Sequence, residues 1–279
     1  MAGNMHVSPV AGALGAEITG VDLNQVSDQV IKDIRSALLK HGVIFFRDQD
    51  LTPESQTTFA RRFGPLNRHP YVTGMDGHPD VFLIVKEPED KHHFGNSWHT
   101  DLAYAEHPAM ATILYGLDVP DAGGDTMFLS QAAAYEALSD GMKSILSDVG
   151  VVYTNANSYG KGSQRFTDGV AKAMEVSQAV TNEVTHPVVR THPETGRKGL
   201  YLSDLHFVRF ADMTPKESRP LFDYLVAHAT RPEFTCRFQW RNGSVAMWDN
   251  RCTMHYAISD FPNARRIMQR VTIEGDRPV

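Results

Sequence analysis

Apolar positions recur at helical spacing early in the chain and alternate at strand spacing later. Val30, Ile31, Ile34 and Leu38 fall on one helix face, with Ser27 placed to cap it and Gly42 to end it. Thr52 and Pro53 open a second helix that Gly64 closes. Between them Val43-Ile44-Phe45-Phe46 reads as a short buried strand, and Val81 to Val85 as another. From Trp98 onward strand patterning dominates: Trp98 to Tyr104, Ala111 to Tyr115, Thr126 to Leu129, Val149 to Tyr153, Thr185 to Val189 and Gly199 to Leu202. Ala132 to Leu146 is helical with a break at Ser139-Asp140. A late helix lies near Thr214 to Ala229, with a capping box of Thr214 and Glu217 around Pro215. Pro220 is then either tolerated near the helix start, or the helix begins nearer Ser218. Phe234 to Trp240 alternates, Asn242-Gly243 carries a type I′ turn signal, and Ser244 to Trp248 returns, which predicts a hairpin. Thr253 to Ala257 and Arg266 to Ile273 complete the strands.

Many short strands, with helices at the front and in insertions, predict a mainly β fold: a sandwich or jelly roll with flanking helices. There is no internal repeat, low-complexity tract or linker, so residues 1–279 read as one domain. Composition adds exclusions. At 22% charged residues and a net charge of −6, the chain is an ordinary soluble globule and not a nucleic-acid binder. No signal peptide and no membrane span are expected. Cys236 and Cys252 read as two free thiols of a reducing cytoplasm.

His99-Thr100-Asp101 carries the candidate chemistry. In a strand, residues i and i+2 share a face, so His99 and Asp101 can aim at one metal ion. With a distant second histidine, His255, they make the facial triad of non-haem Fe(II) oxygenases, which leaves positions open for a cosubstrate and O2. Two rival triplets, His78-Pro79-Asp80 and His192-Pro193-Glu194, are centred on proline and read as solvated turns. Arg266 and Arg270 face one side of the last strand and Arg265 the other. One inward guanidinium can clamp the far carboxylate of 2-oxoglutarate, and Thr126 can add a hydroxyl hydrogen bond. Trp98 and Trp248 read as packing residues, Asp249/Arg251 as a structural charge pair, and His92-His93 as part of a charged loop.

Trp98-His99-Thr100-Asp101, Gly123-Gly124-Asp125-Thr126, Trp248-Asp249-Asn250-Arg251, His255-Tyr256-Ala257 and Arg265 to Arg270 together resemble the taurine dioxygenase family, which includes aryloxyalkanoate dioxygenases. The likeness runs over nearly the whole chain. It implies a double-stranded β-helix (jelly-roll) core with Fe(II) on His99, Asp101 and His255. It implies 2-oxoglutarate on Thr126 and Arg266, O2 as cosubstrate, Arg270 near the substrate's acidic group, and His69 in the substrate pocket. It also suggests a dimer or tetramer. The chain departs from the taurine-specific pattern where His206 replaces an aromatic residue, where Tyr71 follows His69-Pro70 closely, and in a lid-like loop from Gly160 to Arg165. The expected substrate is therefore a small acidic molecule, a sulfonate or an aryloxyalkanoate-like acid. The rival readings are a jelly-roll metal enzyme that does not use 2-oxoglutarate and a non-catalytic metal-dependent binding protein.

Overall fold

In the computed structural model, which describes residues 5–90, 95–156 and 183–279, the expected helix caps form. In helix α1 (Asp28–His41), Ser27 accepts from the Val30 amide, and Gly42 ends the helix at φ +71° with its N–H on the Leu38 carbonyl. Helix α2 (Pro53–Arg61) starts with a Thr52/Ser55 capping box and stops short of Gly64. The segment from Ala132 to Leu146 is broken as expected, into α3 (Gln131–Glu136) and α4 (Asp140–Leu146), with Ser139 capping the second. Helix α5 (Pro215–Ala229) begins with the Thr214/Glu217 capping box and runs through Pro220. The bond that Pro220 cannot make would have gone to the carbonyl of Lys216, an exposed residue in the first turn. The segments at 91–94 and 157–182, which hold His92-His93 and the loop from Gly160 to Arg165, lie outside the described residues.

The larger sheet has the order β1 (His6–Pro9), β2 (Ala16–Thr19), β3 (Val43–Phe46), β14 (Val245–Asp249), β6 (Ala111–Asp118) and β16 (Arg266–Ile273); β4 (Leu66–Asn67) and β5 (Val81–Lys86) both pair with β16. Facing it is a three-stranded sheet, β13 (Thr235–Phe238), β7 (Thr126–Ser130) and β15 (Thr253–Ala257). Alternation sorts the apolar side chains. Val43, Phe45, Leu114, Ala246, Trp248 and Met268 of the larger sheet meet Phe128, Cys236 and Phe238 of the smaller one. Phe45 stacks on Phe238 at 4.1 Å between ring centres. The intervening Ile44, Phe46, Ile113, Tyr115, Val245 and Met247 face the other way, against α1 and α2. These paired sheets are the jelly roll, with helices on its outer face.

The outer side of the smaller sheet is covered too. There Leu129 and Met254 join Leu138, Leu146, Tyr153, Leu202, Phe210 and Phe222. This layer is built from α3 to α5, from a sheet of β12 (Phe207–Phe210), β8 (Gly150–Thr154) and β9 (Glu183–Pro187), from the pair β10 (Val189–Thr191) and β11 (Lys198–Leu200), and from the segments that join them. Neither cysteine is bridged, and no helix among the described residues is long and apolar enough to cross a membrane.

Two expected elements do not form. The segment from Trp98 to Tyr104 is no strand: His99 makes one isolated bridge, to His255, and Asp101 opens a turn. Leu102 sits at φ +54°, and the Asp101 amide is diverted to the Asn250 side chain at 3.3 Å, so no ladder can continue. The hairpin around Asn242-Gly243 also fails. A turn is there, with the Ser244 N–H on the Arg241 carbonyl, but positive φ falls on Gly243 and not on Asn242, so it is not type I′. It carries the chain from one sheet to the other: β13 pairs with β7, and β14 with β3 and β6.

Candidate active site

Although no strand forms at His99, three residues of extended chain suffice to aim its side chains. Thr100 points away, donating to the Leu202 and Thr253 carbonyls, so His99 and Asp101 emerge together on the opposite side. His99 and His255 exchange both backbone hydrogen bonds, at 3.1 and 2.9 Å, which sets their rings 4.1 Å apart. The Nε2 atoms of both lie 3.8 Å from Asp101 Oδ1. All three residues are buried.

The donor chemistry suits a divalent metal. His99 Nδ1 donates to the Ser97 carbonyl at 2.7 Å, which fixes the tautomer and leaves Nε2 with a lone pair facing the cluster. Burial, then the neighbouring His99, hold the His255 pKa well below its ordinary value, so its imidazole is neutral, as a ligand must be. Burial alone would raise the Asp101 pKa, but the Arg270 guanidinium beside it holds it well below the carboxylate range. Two imidazoles and one carboxylate, with ligand atoms all within 4.8 Å of one another, form a two-histidine, one-carboxylate set.

Both inward arginines of β16 are buried, and Arg265 is exposed. Four residues apart on one face, their Cα atoms are separated by about 13 Å, so they stand at different places along the strand. Arg270 Nη2 lies 2.7 Å from Asp101 Oδ1, with its guanidinium over the Phe82 ring. It lines a small pocket together with His69, Leu102, Tyr104, Leu205 and His206. Burial of the His69 ring, although the residue keeps some surface, and then the Arg270 charge hold its pKa down to about 3. His206 is bonded to Ser203 Oγ at 2.9 Å and packs edge-on against Tyr104. Tyr71 stands behind this wall, its hydroxyl accepting from Asn155 at 2.6 Å and its ring 6.3 Å from that of Tyr104.

Thr126 and Arg266 do not line that pocket; they are gathered around Trp240, which the sequence did not mark as a site residue. Trp240 Nε1 donates to Thr126 Oγ1 at 2.9 Å, and the Arg266 guanidinium sits 5.8 Å from the Trp240 ring and 5.9 Å from that of Phe261. Burial holds the Arg266 pKa down to about 10, so it remains cationic at neutral pH. Gly123 and Gly124, both at positive φ, lead the chain into Thr126, and the Gly124 N–H is held by Asp260 at 2.7 Å.

A second cluster, His192, Asp249 and Cys252, has metal-like spacing but is closed by its own bonds. Asp249 takes His192 Nε2 on one oxygen and the Arg251 guanidinium on both, while His192 Nδ1 accepts from the Glu194 and Thr195 amides. The expected solvated turn at His192-Pro193-Glu194 is therefore a turn with a buried histidine. Arg251 also pairs with Glu194, itself bound by Arg35, so Asp249/Arg251 is a structural network. His78 lies in a turn as expected, and Asp80 pairs with Arg61 and Arg68. Trp98 packs beside Tyr256 and Trp248 beside His255.

The family described as taurine catabolism dioxygenase TauD, TfdA matches residues 6–272. An alkylsulfatase from Acinetobacter baylyi is 36% identical over 98% of this chain and 86% of its own length. An alpha-ketoglutarate-dependent sulfate ester dioxygenase from Pseudomonas putida is 37% identical over 99% and 91%. The crystal structure of a taurine dioxygenase from Burkholderia xenovorans superposes with a TM-score of 0.83 at 37% identity, covering 99% of this chain and 92% of that one.

Proposed function

The chain belongs to the TauD/TfdA family and is an Fe(II)- and 2-oxoglutarate-dependent dioxygenase; on that premise we propose that it hydroxylates a small organic anion of the sulfate-ester or sulfonate class, held by Arg270. The observation that carries this reading is a buried guanidinium on the pocket wall beside the His99, Asp101 and His255 donors.

His99, Asp101 and His255 hold the iron in this reading, since their donor set, burial and fixed tautomer suit it. Bound Fe(II) with 2-oxoglutarate couples the reduction of O2, and decarboxylation to succinate and CO2, to oxidation of a C–H bond. Arg266 binds the distal carboxylate of 2-oxoglutarate through paired N–H donors. Thr126 Oγ1 already accepts from Trp240, so its own proton is available to the same carboxylate. Arg270 orients the substrate's anionic group, with His69 and His206 as polar neighbours. Leu102, Leu205 and Tyr104 take the apolar body, keep water out, and hold one C–H bond in place. When the hydroxylated carbon bears a sulfate ester oxygen, the product collapses to an aldehyde and inorganic sulfate.

The family relatives named for sulfate esters motivate placing that class first. The test adds Fe(II) and 2-oxoglutarate without oxygen and follows the visible charge-transfer band. Oxygen is then admitted with alkyl sulfates, taurine or aryloxyalkanoates while succinate and sulfate are measured. Succinate stimulated most by alkyl sulfates, with matching sulfate release, supports the proposal. Stimulation only by aryloxyalkanoates would reassign the substrate, and no band with bound Fe(II) would sink the chelation.

A further inference from the structure

We propose that Thr112, oriented by Asn250, is a positioning residue that ties back one oxygen of Asp101, so that the carboxylate presents a single oxygen to the metal; this rests on the ligand reading above. Thr112 is fully buried on β6, on the side facing the smaller sheet, and its Oγ1 lies 2.8 Å from Asp101 Oδ2. The other groups around that hydroxyl, Asn250 Nδ2 at 3.1 Å and Arg270 Nη2 at 3.5 Å, can only donate. The single Thr112 proton is therefore directed to Asp101 Oδ2.

The Asn250 amide has no freedom to reverse this. Its Oδ1 accepts from Trp248 Nε1 at 3.0 Å and from the Asp101 backbone N–H at 3.3 Å. A flipped amide would turn its NH2 onto two donors. The chain of bonds from Trp248 through Asn250 and Thr112 to Asp101 thus has one proton arrangement. It is buried throughout, where a hydrogen bond is stronger and a broken one costs more.

The two oxygens of Asp101 consequently differ. Oδ2 is committed to Thr112, and Oδ1, which also meets Arg270 Nη2 at 2.7 Å, is the atom 3.8 Å from both histidine nitrogens. A carboxylate held by both oxygens would occupy a position that a chelating cosubstrate and O2 require. Thr112 keeps that position open by holding the second oxygen elsewhere.

The test compares Thr112→Val, which keeps the branched shape and loses the hydrogen bond, with Thr112→Ser, which keeps the hydroxyl. Fe(II) affinity is measured without oxygen by titration calorimetry, and the 2-oxoglutarate charge-transfer band at saturating Fe(II). Thr112→Val is expected to weaken Fe(II) by about ten- to a hundredfold and to require more 2-oxoglutarate for the band, while Thr112→Ser stays close to the native protein. If Thr112→Val does not fold, Thr112→Ala, which introduces no misplaced methyl, is measured in its place. A native-like affinity and band in the variant lacking the hydroxyl would overturn the inference alone. So would a folded Thr112→Ser as impaired as Thr112→Val. Absence of Fe(II) binding or of the band in the native protein would overturn the ligand reading, and this inference with it.

Discussion

Replacing Arg266 with methionine should weaken 2-oxoglutarate binding while leaving the protein no less stable. The guanidinium is buried between the Trp240 and Phe261 rings, and its pKa is held down to about 10, chiefly by burial. Against an ordinary value of 12.5, that corresponds to about 3 kcal/mol disfavouring the cation in the folded chain, a penalty fully present at pH 7 and relieved only as pH rises past 10. Methionine fills similar space without that penalty, so unfolding in urea should show a change between zero and a gain of a few kcal/mol. The binding side moves the other way. Each charge-assisted bond contributes about 1.5–3 kcal/mol, so losing a bidentate pair should raise the 2-oxoglutarate Kd at least about a hundredfold. The anaerobic charge-transfer titration reads that Kd directly. An unchanged Kd, or a variant less stable by more than about 2 kcal/mol, would refute the reasoning, because Arg266 would then be a structural residue.

Three further outcomes are expected. His99→Ala and Asp101→Ala should each abolish iron-dependent turnover; native-like succinate formation at verified iron content would remove that residue from the ligand set. Trp240→Phe keeps the ring but not the N–H on Thr126, so KM for 2-oxoglutarate should rise about three- to tenfold with kcat little changed, read from steady-state kinetics. Asp249→Asn should cost about 3–5 kcal/mol in urea unfolding, since it breaks a buried pair with Arg251. Burial opposes it, but Arg251 and His192 hold the Asp249 pKa well below the carboxylate range. Its contribution is therefore complete above the unfolded value of about 4 and is lost as pH falls below that. The native protein should lose stability as pH falls below about 4, and the variant less so.

What the sequence made legible was local or chemically loud. The caps of α1, α2 and α5 act within a few residues, so Ser27, Thr52 and Thr214 are readable without knowing the fold. The donors His99, Asp101 and His255 stood out by residue type, and the structure brings them together. The strand from Trp98 to Tyr104 misled because its β-forming composition conceals a left-handed Leu102 and an amide captured by Asn250, a long-range partner. Asn242-Gly243 announced a turn but not which sheet the chain enters next, because alternation looks alike on both sides of a jelly roll. Thr112 and Trp240 were invisible for another reason. A threonine or tryptophan in a strand is ordinary, and only its neighbour's free valence makes it part of a site.

The backbone bridge between His99 and His255 has a bearing on how such a chain can change. Because the two residues exchange their own N–H and C=O groups, the spacing of their rings depends on the pairing and not on the length of chain between them. More than half of the sequence lies in that interval, including Leu205 and His206 on the pocket wall. Away from Asp101, Thr112 and Asn250, residues can be inserted, deleted or replaced there without altering that pairing. The reaction can therefore stay constant while the molecule it acts on drifts, which also makes that interval the first place to diversify in directed evolution.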